Sequence, residues 1–162
     1  MNTIIRKYDE KDIQVITNLF NEVVLEGTSF LTEKPVTFAQ MGYRLKNEEI
    51  GTYIAVSNNS VVGCYMIRPN LKGRGNHIGN ATYFITKKYR GQGIGYQLGK
   101  HSLRKAKEFG FKAMQFNSVV TVNEPSKNLW EKLGFKIVGI IPEGFRILND
   151  KLVDIMILHK KL

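Results

Sequence analysis

The most chemically informative stretch of the sequence is Tyr83-Phe84-Ile85-Thr86-Lys87-Lys88-Tyr89-Arg90-Gly91-Gln92-Gly93-Ile94-Gly95-Tyr96. An apolar strand runs into a turn with three glycines and then straight into a helix. That order aims several unpaired backbone N–H groups at one point, at the positive end of the helix dipole. Glycine admits φ > 0 and leaves no Cβ between backbone and ligand. The predicted chemistry is an anion site suited to a pyrophosphate. Two familiar nucleotide loops do not fit. A P-loop ends in Gly-Lys-Ser/Thr, whereas Gly95 is followed by Tyr96 and Gln97. A G-x-G-x-x-G fingerprint fails at Tyr96 when counted from Gly91 and at Leu98 when counted from Gly93. A purely structural turn is the competing reading, and three glycines in five residues before a helix weigh against it.

Other residues invite chemistry and are weighed against plainer roles. Asn80 and Asn117 fall on predicted strands, where a buried asparagine demands hydrogen-bond partners. Substrate contact and strand capping are equal readings for both. Glu22 and Glu26 lie one helical turn apart; a solvated helix face is favoured over a pocket wall. Cys64 sits in the apolar run Val61–Ile67 with no histidine nearby in sequence, so a buried structural thiol is expected rather than an acyl-cysteine nucleophile. His77, His101 and His159 share no metal-ligand spacing and read as surface or strand-end residues, so no metal is expected. Phe30, Phe38 and Tyr43 read as core.

The elements that must position these residues follow from periodicity and punctuation. Thr3–Lys7 reads as a strand. Asp9 or Asp12 caps a helix through Ile13, Ile16, Leu19, Phe20, Val23 and Val24, which Gly27 ends. After a loop over 28–36, Thr37 caps a second helix through Phe38, Met41 and Leu45, ending near Gly51. Thr52–Ser57 and Val61–Arg68 form a hairpin about Asn58-Asn59-Ser60, and Leu71–Asn76 is a basic turn. Then come a strand His77–Lys87, a helix Ile94–Phe109, a strand Phe111–Val120, a helix Glu124–Leu133 stopped by Gly134, and strands Phe135–Ile141 and Leu152–His159. The order β-α-α-β-β-β-α-β-α-β-β implies an α/β mixed sheet with helices on its faces.

Composition bounds the function. The 162 residues suit one domain, taken as 1–162. With 24 Lys+Arg against 14 Asp+Glu the net charge is +10. No helix-turn-helix, zinc-finger spacing or RNP-type signature accompanies that charge, so no nucleic-acid partner is expected; a solvated surface and a smaller polyanionic ligand account for it. No apolar run reaches the length of a membrane span or a signal peptide, so no membrane partner is expected. The lone cysteine points to a reducing, cytoplasmic setting.

Two motifs then carry a resemblance. Arg90, Gly93 and Gly95 form Arg-x-x-Gly-x-Gly, and Asn123 to Phe135 form Asn-x-x-Ser-x-x-Leu-Trp-x-x-Leu-Gly-Phe, 28 residues past Gly95. With these motifs in this element order, the chain resembles the GNAT superfamily of acyl-CoA-dependent N-acyltransferases over nearly its whole length. The resemblance implies a central seven-stranded mixed sheet flanked by about four helices, with acetyl-CoA as acyl donor and a small-molecule amine as acceptor. It implies direct transfer, with a homodimer left open. In such a fold the backbone of Tyr83, Phe84 and Ile85 holds the pantetheine arm. An N–H at or near Ile85 polarises the thioester. Arg90, Gly91, Gln92, Gly93, Ile94, Gly95 and Tyr96 bind the pyrophosphate, and Asn123 and Ser126 belong to the cofactor side. Lys87, Lys88 or Lys127 meets the 3′-phosphate.

Two departures narrow the reading. Trp130 stands where many members carry a tyrosine that protonates the departing thiolate; indole cannot do this, leaving Tyr83 and Tyr96 as candidate donors. Many members carry a carboxylate base on the central strand, whereas this strand reads His77-Ile78-Gly79-Asn80-Ala81-Thr82-Tyr83-Phe84. Together with Asn117 and Asn123, this resembles the azetidine-2-carboxylate (proline-analogue) acetyltransferases. The resemblance gives Asn80 and Asn117 to the acceptor pocket and Asn123 to the cofactor side, as the catalytic set. Glu26 is the alternative base. Competing functions are acetylation of protein lysines or N-termini, and a non-catalytic acyl-CoA-binding or RNA-associated domain.

Overall fold

The computed structural model describes residues 3–162; Met1 and Asn2, part of the predicted domain, lie outside the described residues. Strands β1 (Thr3–Lys7), β2 (Gly51–Ser57), β3 (Ser60–Pro69), β4 (Ile78–Ile85), β5 (Ala113–Val120), β6 (Lys136–Arg146) and β7 (Leu152–Lys161) form one sheet in the order β1-β2-β3-β4-β5-β7-β6. Helices α1 (Ile13–Glu26), α2 (Phe38–Asn47), α3 (Ile94–Glu108) and α4 (Glu124–Lys132) cover it. This is the mixed seven-stranded architecture with four helices that the element order predicts.

The two-residue period of the strands divides the core. Ile54, Cys64, Met66 and Phe84 face α1 and α2, packing with Ile16, Phe20, Val24 and Met41. Tyr65, Ile67, Ala81 and Met114 face α3 and α4, packing with Leu98, Ala106 and Trp130. Local signals hold each helix in place. Gly27 closes α1 in the left-handed conformation at φ 63°. Thr37 and Gln40 form a capping box at the start of α2. Among the described residues, no helix is long and apolar enough to cross a membrane.

β6 runs five residues past its expected end at Ile141. Pro142-Glu143-Gly144 forms a bulge within the strand. The β6–β7 register shifts between Ile141 and Phe145, and Glu143 takes φ 51° while its N–H donates to Asp154 Oδ1 at 2.9 Å.

The irregularity that makes the site lies at mid-sheet. β4 and β5 are parallel neighbours, but their ladder consists of Ile78↔Ala113 and Gly79↔Met114 alone. On its other side, β5 shifts register against β7 between Phe116 and Val119, a bulge that bends it away. Beyond Gly79 the two strands part.

Candidate active site

The parted strands expose backbone on β4. Thr86 N–H donates to Val62 C=O at 3.0 Å, and Asn70 N–H donates to Ile78 C=O at 2.7 Å, so the even-numbered residues of β4 spend their backbone groups on β3. Alternation turns the N–H and C=O of Ala81, Tyr83 and Ile85 toward β5, which is no longer there to pair with them. A cavity of about 780 Å³ occupies this gap and opens to both faces of the sheet. Tyr83, Gly93, Tyr96, Leu129, Trp130 and Lys132 line it on the α3–α4 side, and Phe20, Phe30, Arg44, Arg68, Asn80 and Thr82 on the other.

At one end of the gap lies the glycine turn. Gly91 and Gly93 take φ 74° and 80°, and a Cβ on either would meet nothing within 4 Å. Their requirement is therefore conformational, since L side chains rarely adopt that region. Gly93 is also the N-cap of α3 and has no side chain to cap it, while the first turn holds no acidic residue. The leading N–H groups of a 15-residue helix are thus left for an anion. Gly95 differs: a Cβ there would come within 3.2 Å of Leu129 and 3.4 Å of Ile85. It is a packing glycine that lets α4 and β4 approach α3.

Arg90 holds the turn onto the sheet rather than reaching into it. Its Nε donates to Ile85 C=O at 2.9 Å, its Nη1 donates to Glu26 Oε2 at 2.9 Å, and its Nη2 lies 2.8 Å from Glu26 Oε1. Glu22 accepts from Thr86 Oγ1 at 2.9 Å and from Lys87 N–H at 2.6 Å. Neither glutamate is the solvated helix face expected from sequence. Both tie the end of α1 to the end of β4, and the Arg90 guanidinium occupies Glu26, the alternative base. Gln92 donates to Lys88 C=O at 3.1 Å and closes the turn on itself.

The asparagines form two separate groups. Asn80 Nδ2 and Asn117 Nδ2 both donate to Asn70 Oδ1, at 2.9 and 2.8 Å. Asn70 follows the end of β3, and sequence reasoning gave it no role; its only signal was its place after Arg68-Pro69, opposite the strand bearing Asn80. Asn123 lies elsewhere, at the N-terminus of α4. Its Oδ1 accepts from Ser126 N–H at 3.2 Å and its Nδ2 donates to Ser29 Oγ at 3.1 Å, joining α4 to the loop after α1.

The model of the Acetyltransferase (GNAT) family matches residues 16–135. The chain belongs to this family. It is 39% identical over 88 residues to the N-acetyltransferase aca1 of Schizosaccharomyces pombe, an alignment covering 54% of this chain and 42% of that one. The chain thus spans less than half the length of that relative. A solved GCN5-related N-acetyltransferase from Kribbella flavida is 29% identical, with a TM-score of 0.92 over 99% of this chain and 98% of its own. A phosphinothricin acetyltransferase from Sinorhizobium meliloti, solved in complex with AcCoA, shares the fold at 20% identity, with a TM-score of 0.91 over 100% of this chain and 89% of its own.

Within this GNAT chain the aromatic residues sort clearly. Trp130 is buried, its ring 4.6 Å from both Tyr83 and Phe116, and its Nε1 donates to Ser126 Oγ at 3.0 Å. It is a packing residue, as its indole chemistry implies. Ser102 donates to Gly99 C=O at 2.8 Å, so the 2.7 Å bond between Ser102 and Tyr83 uses the Tyr83 proton. Burial pushes that phenol's pKa up, against the opposing effect of the Ser102 bond. Tyr83 therefore has no proton to offer the gap, which leaves Tyr96 of the two candidate donors. The Tyr96 ring lies 5.0 Å from Lys132 Nζ and 6.0 Å from Lys100 Nζ. Lys132 lines the cavity, whereas Lys87, Lys88 and Lys127, the lysines singled out from sequence, do not.

Three plainer readings also change. His101 is half-buried on α3, and its Nδ1 lies 2.7 Å from the Tyr65 hydroxyl, so it is no surface residue. Phe38 and Tyr43 are exposed rather than core, because α2 turns them outward while burying Met41 and Leu45. Phe30 stacks on Phe20 at 5.0 Å and lines the cavity. Cys64 is fully buried, and burial raises its thiol pKa well above the ordinary value. Among the described residues no group of three or more His, Cys, Asp or Glu is placed to hold a metal.

Proposed function

We propose that residues 1–162 form one cytoplasmic N-acetyltransferase domain that transfers an acetyl group from acetyl-CoA directly to the amine of a small acceptor, an amino acid or proline analogue. The observation that carries this reading is the continuity of the β4–β5 gap with the uncapped start of α3. An open strand edge suits the amide-bearing pantetheine arm, and a nest of N–H groups at a helix terminus suits a pyrophosphate. The AcCoA held by the phosphinothricin acetyltransferase of the same fold supports the same donor here. That relative's named substrate class supports a small acceptor.

Acetyl-CoA, when bound, supplies an activated acetyl thioester. The chain's own contribution is positioning and backbone electrostatics. The N–H groups of Tyr83 and Ile85 face the gap and offer donors to a carbonyl oxygen that gains negative charge. The amides from Gly91 to Tyr96 hold the diphosphate, and Lys132 supplies the nearest cavity-lining ammonium for a further phosphate. A neutral amine would form the new C–N bond at the thioester carbon, the C–S bond would break with its electron pair leaving on sulfur as the CoA thiolate, and the amine's proton would pass to water at the Asn80 and Asn117 amides. Asn123 acts on the cofactor side by fixing the start of α4 beside Ser126.

For the acceptor, the uncharged Asn70–Asn80–Asn117 group is suited to a compact amino acid, because amide side chains both donate and accept. A cyclic secondary amine such as azetidine-2-carboxylate is the sharpest form of this reading. The test is CoA thiol release from acetyl-CoA across a panel of imino acids, primary amino acids, polyamines and lysine peptides, with CoA binding followed separately by calorimetry. Transfer to imino acids is expected. Efficient use of peptide lysines with no use of any imino acid overturns the acceptor, and absent CoA binding overturns the donor.

A further inference from the structure

Opposite the glycine turn, the other end of the cavity is cationic by construction. Arg44 on α2 and Arg68 on β3 converge on one carboxylate: Arg44 Nε lies 2.8 Å and Arg68 Nη1 lies 3.2 Å from Glu49 Oε1. The Glu49 side chain is wholly shielded from solvent, whereas both arginines line the cavity. A buried carboxylate needs one cationic partner to be neutralised. Here it has two, so the group carries one unit of positive charge at the cavity wall. Glu26, the carboxylate that lines the cavity among the described residues, is already taken by Arg90.

The arginines also keep donors in reserve. Arg44 spends Nε on Glu49 and Nη2 on Thr82 Oγ1, and Arg68 spends Nη1 on the same two groups. Arg44 Nη1 and both Arg68 Nε and Nη2 have no protein partner among the described residues, although a guanidinium carries five N–H donors. Glu49 and Thr82 fix the planes of the two forks, and Arg44 is further held over the Phe20 ring at 5.5 Å. Two oriented guanidinium edges beside an open cavity are the arrangement that recognises a carboxylate or another planar oxyanion.

Position ties this to the chemistry. Thr82 and Asn80 share a face of β4, and between and beyond them Ala81 and Tyr83 turn their backbone into the gap. Arg68 is the cross-strand neighbour of Asn80. An acceptor whose acidic group met the arginines would hold an adjacent amine at the gap. The same charge repels protonated polyamines and favours the neutral form of a nearby amine, the form that attacks.

We propose that the acceptor bears an acidic group beside its amine and that Arg44 and Arg68 form its anion clamp. This rests on the transferase reading above. The test compares each amino or imino acid with its own carboxamide, which keeps shape and amine but removes the charge. With wild-type protein, kcat/KM is expected to fall at least about tenfold from acid to amide, the scale of one charge-assisted contact. In Arg68→Gln the acid should lose most of its advantage over its amide, because the acid falls much further than the amide does. Arg44 still pairs with Glu49 in that variant, and circular dichroism and unaltered CoA affinity check its fold. Arg68→Lys, which keeps charge but loses the fork, should recover only part of the acid preference. Equal use of acid and amide by the wild type, or an equal loss of both in Arg68→Gln, overturns the clamp and leaves the transferase reading intact. If no acceptor is acetylated although CoA binds, the transferase reading fails, and calorimetric binding of acid against amide to the CoA complex then decides the clamp.

Discussion

Asn80 and Asn117 stand on strands that have parted, yet both donate to the same atom, Asn70 Oδ1, at 2.9 and 2.8 Å. The contact bridges the mouth of the gap where the β4–β5 ladder no longer does. Asn70 is therefore a positioning residue for the proposed acceptor site. Asn70→Ala should raise the acceptor KM at least as much as Asn80→Ala does, since it also frees Asn117, and combining the two should add little, because the bond that Asn80→Ala removes is already lost. Neither should alter CoA affinity by calorimetry. Additive losses would show that Asn80 acts without Asn70.

The glycines of the turn should separate by mechanism. Gly93→Val forces a β-branched residue into φ 80° with open space around it, so it should cost about 1–2 kcal/mol of stability and weaken CoA binding by at least about tenfold, as the nest is lost. Gly95→Val should instead press on Leu129 and Ile85 and cost about 1–3 kcal/mol through overpacking. Thermal unfolding alongside calorimetry distinguishes the two. A folded Gly93→Val protein with undiminished CoA affinity would remove the turn from the donor site.

How far the sequence reaches is visible in these residues. The seven strands, four helices and the glycine turn were legible because each rests on short-range signals: alternation, a three-to-four spacing, a Gly27 or Gly134 stop, a Thr37 cap. β6 runs on past its expected end at Ile141 because Asp154, on the neighbouring strand, accepts the Glu143 N–H across the bulge, a pairing that nothing local announces. The proposed donor site was legible in outline where it rests on backbone, at Gly91 and Gly93, whose positive φ the glycine spacing anticipates. The candidate site was not legible where it depends on which side chains meet. Nothing local tells Glu22 that it will close on Thr86, Asn70 that it will receive two amides, or Arg44 and Arg68 that they will share Glu49 across three elements. Those are consequences of packing, not of spacing.

His101 should set an acid limit on stability. Burial lowers its pKa from the ordinary 6.5, with Arg104 and Lys105 acting in the same direction and Glu108 against it. The neutral ring is held against the Tyr65 hydroxyl, 2.7 Å from Nδ1, in surroundings that penalise its charged form. The unfolded state then binds the proton more readily than the folded state. Stability should be complete above pH 6.5 and fall as pH drops from there toward the lowered folded value. In His101→Gln the slope in that window should disappear, while the carboxylate-linked loss at lower pH remains. Urea melts at half-unit pH steps test this, and an unchanged slope in the variant would assign it to another group.

The chemistry itself should titrate with the acceptor and not with the protein. Direct attack needs an unprotonated amine, so kcat/KM should rise with pH along a single limb that ends at the amine's own pKa. Few protein groups compete for that window. The Cys64 thiol is buried with its pKa raised well above its ordinary value, the Tyr83 phenol is raised by burial and bonded to Ser102, and the Trp130 indole does not titrate. The limb should therefore move in step when an acceptor of lower amine pKa replaces one of higher pKa. Cys64→Ala should cost about 1 kcal/mol of stability as a small core truncation and leave both kcat/KM and the limb in place. No acetylated Cys64 should accumulate when acetyl-CoA is mixed with enzyme alone. A limb fixed in pH whatever the acceptor would point to a protein base, with Glu26 the first to replace by Gln, and acetyl-Cys64 in the mass spectrum together with an inactive, folded Cys64→Ala variant would replace direct transfer by an acyl-enzyme route.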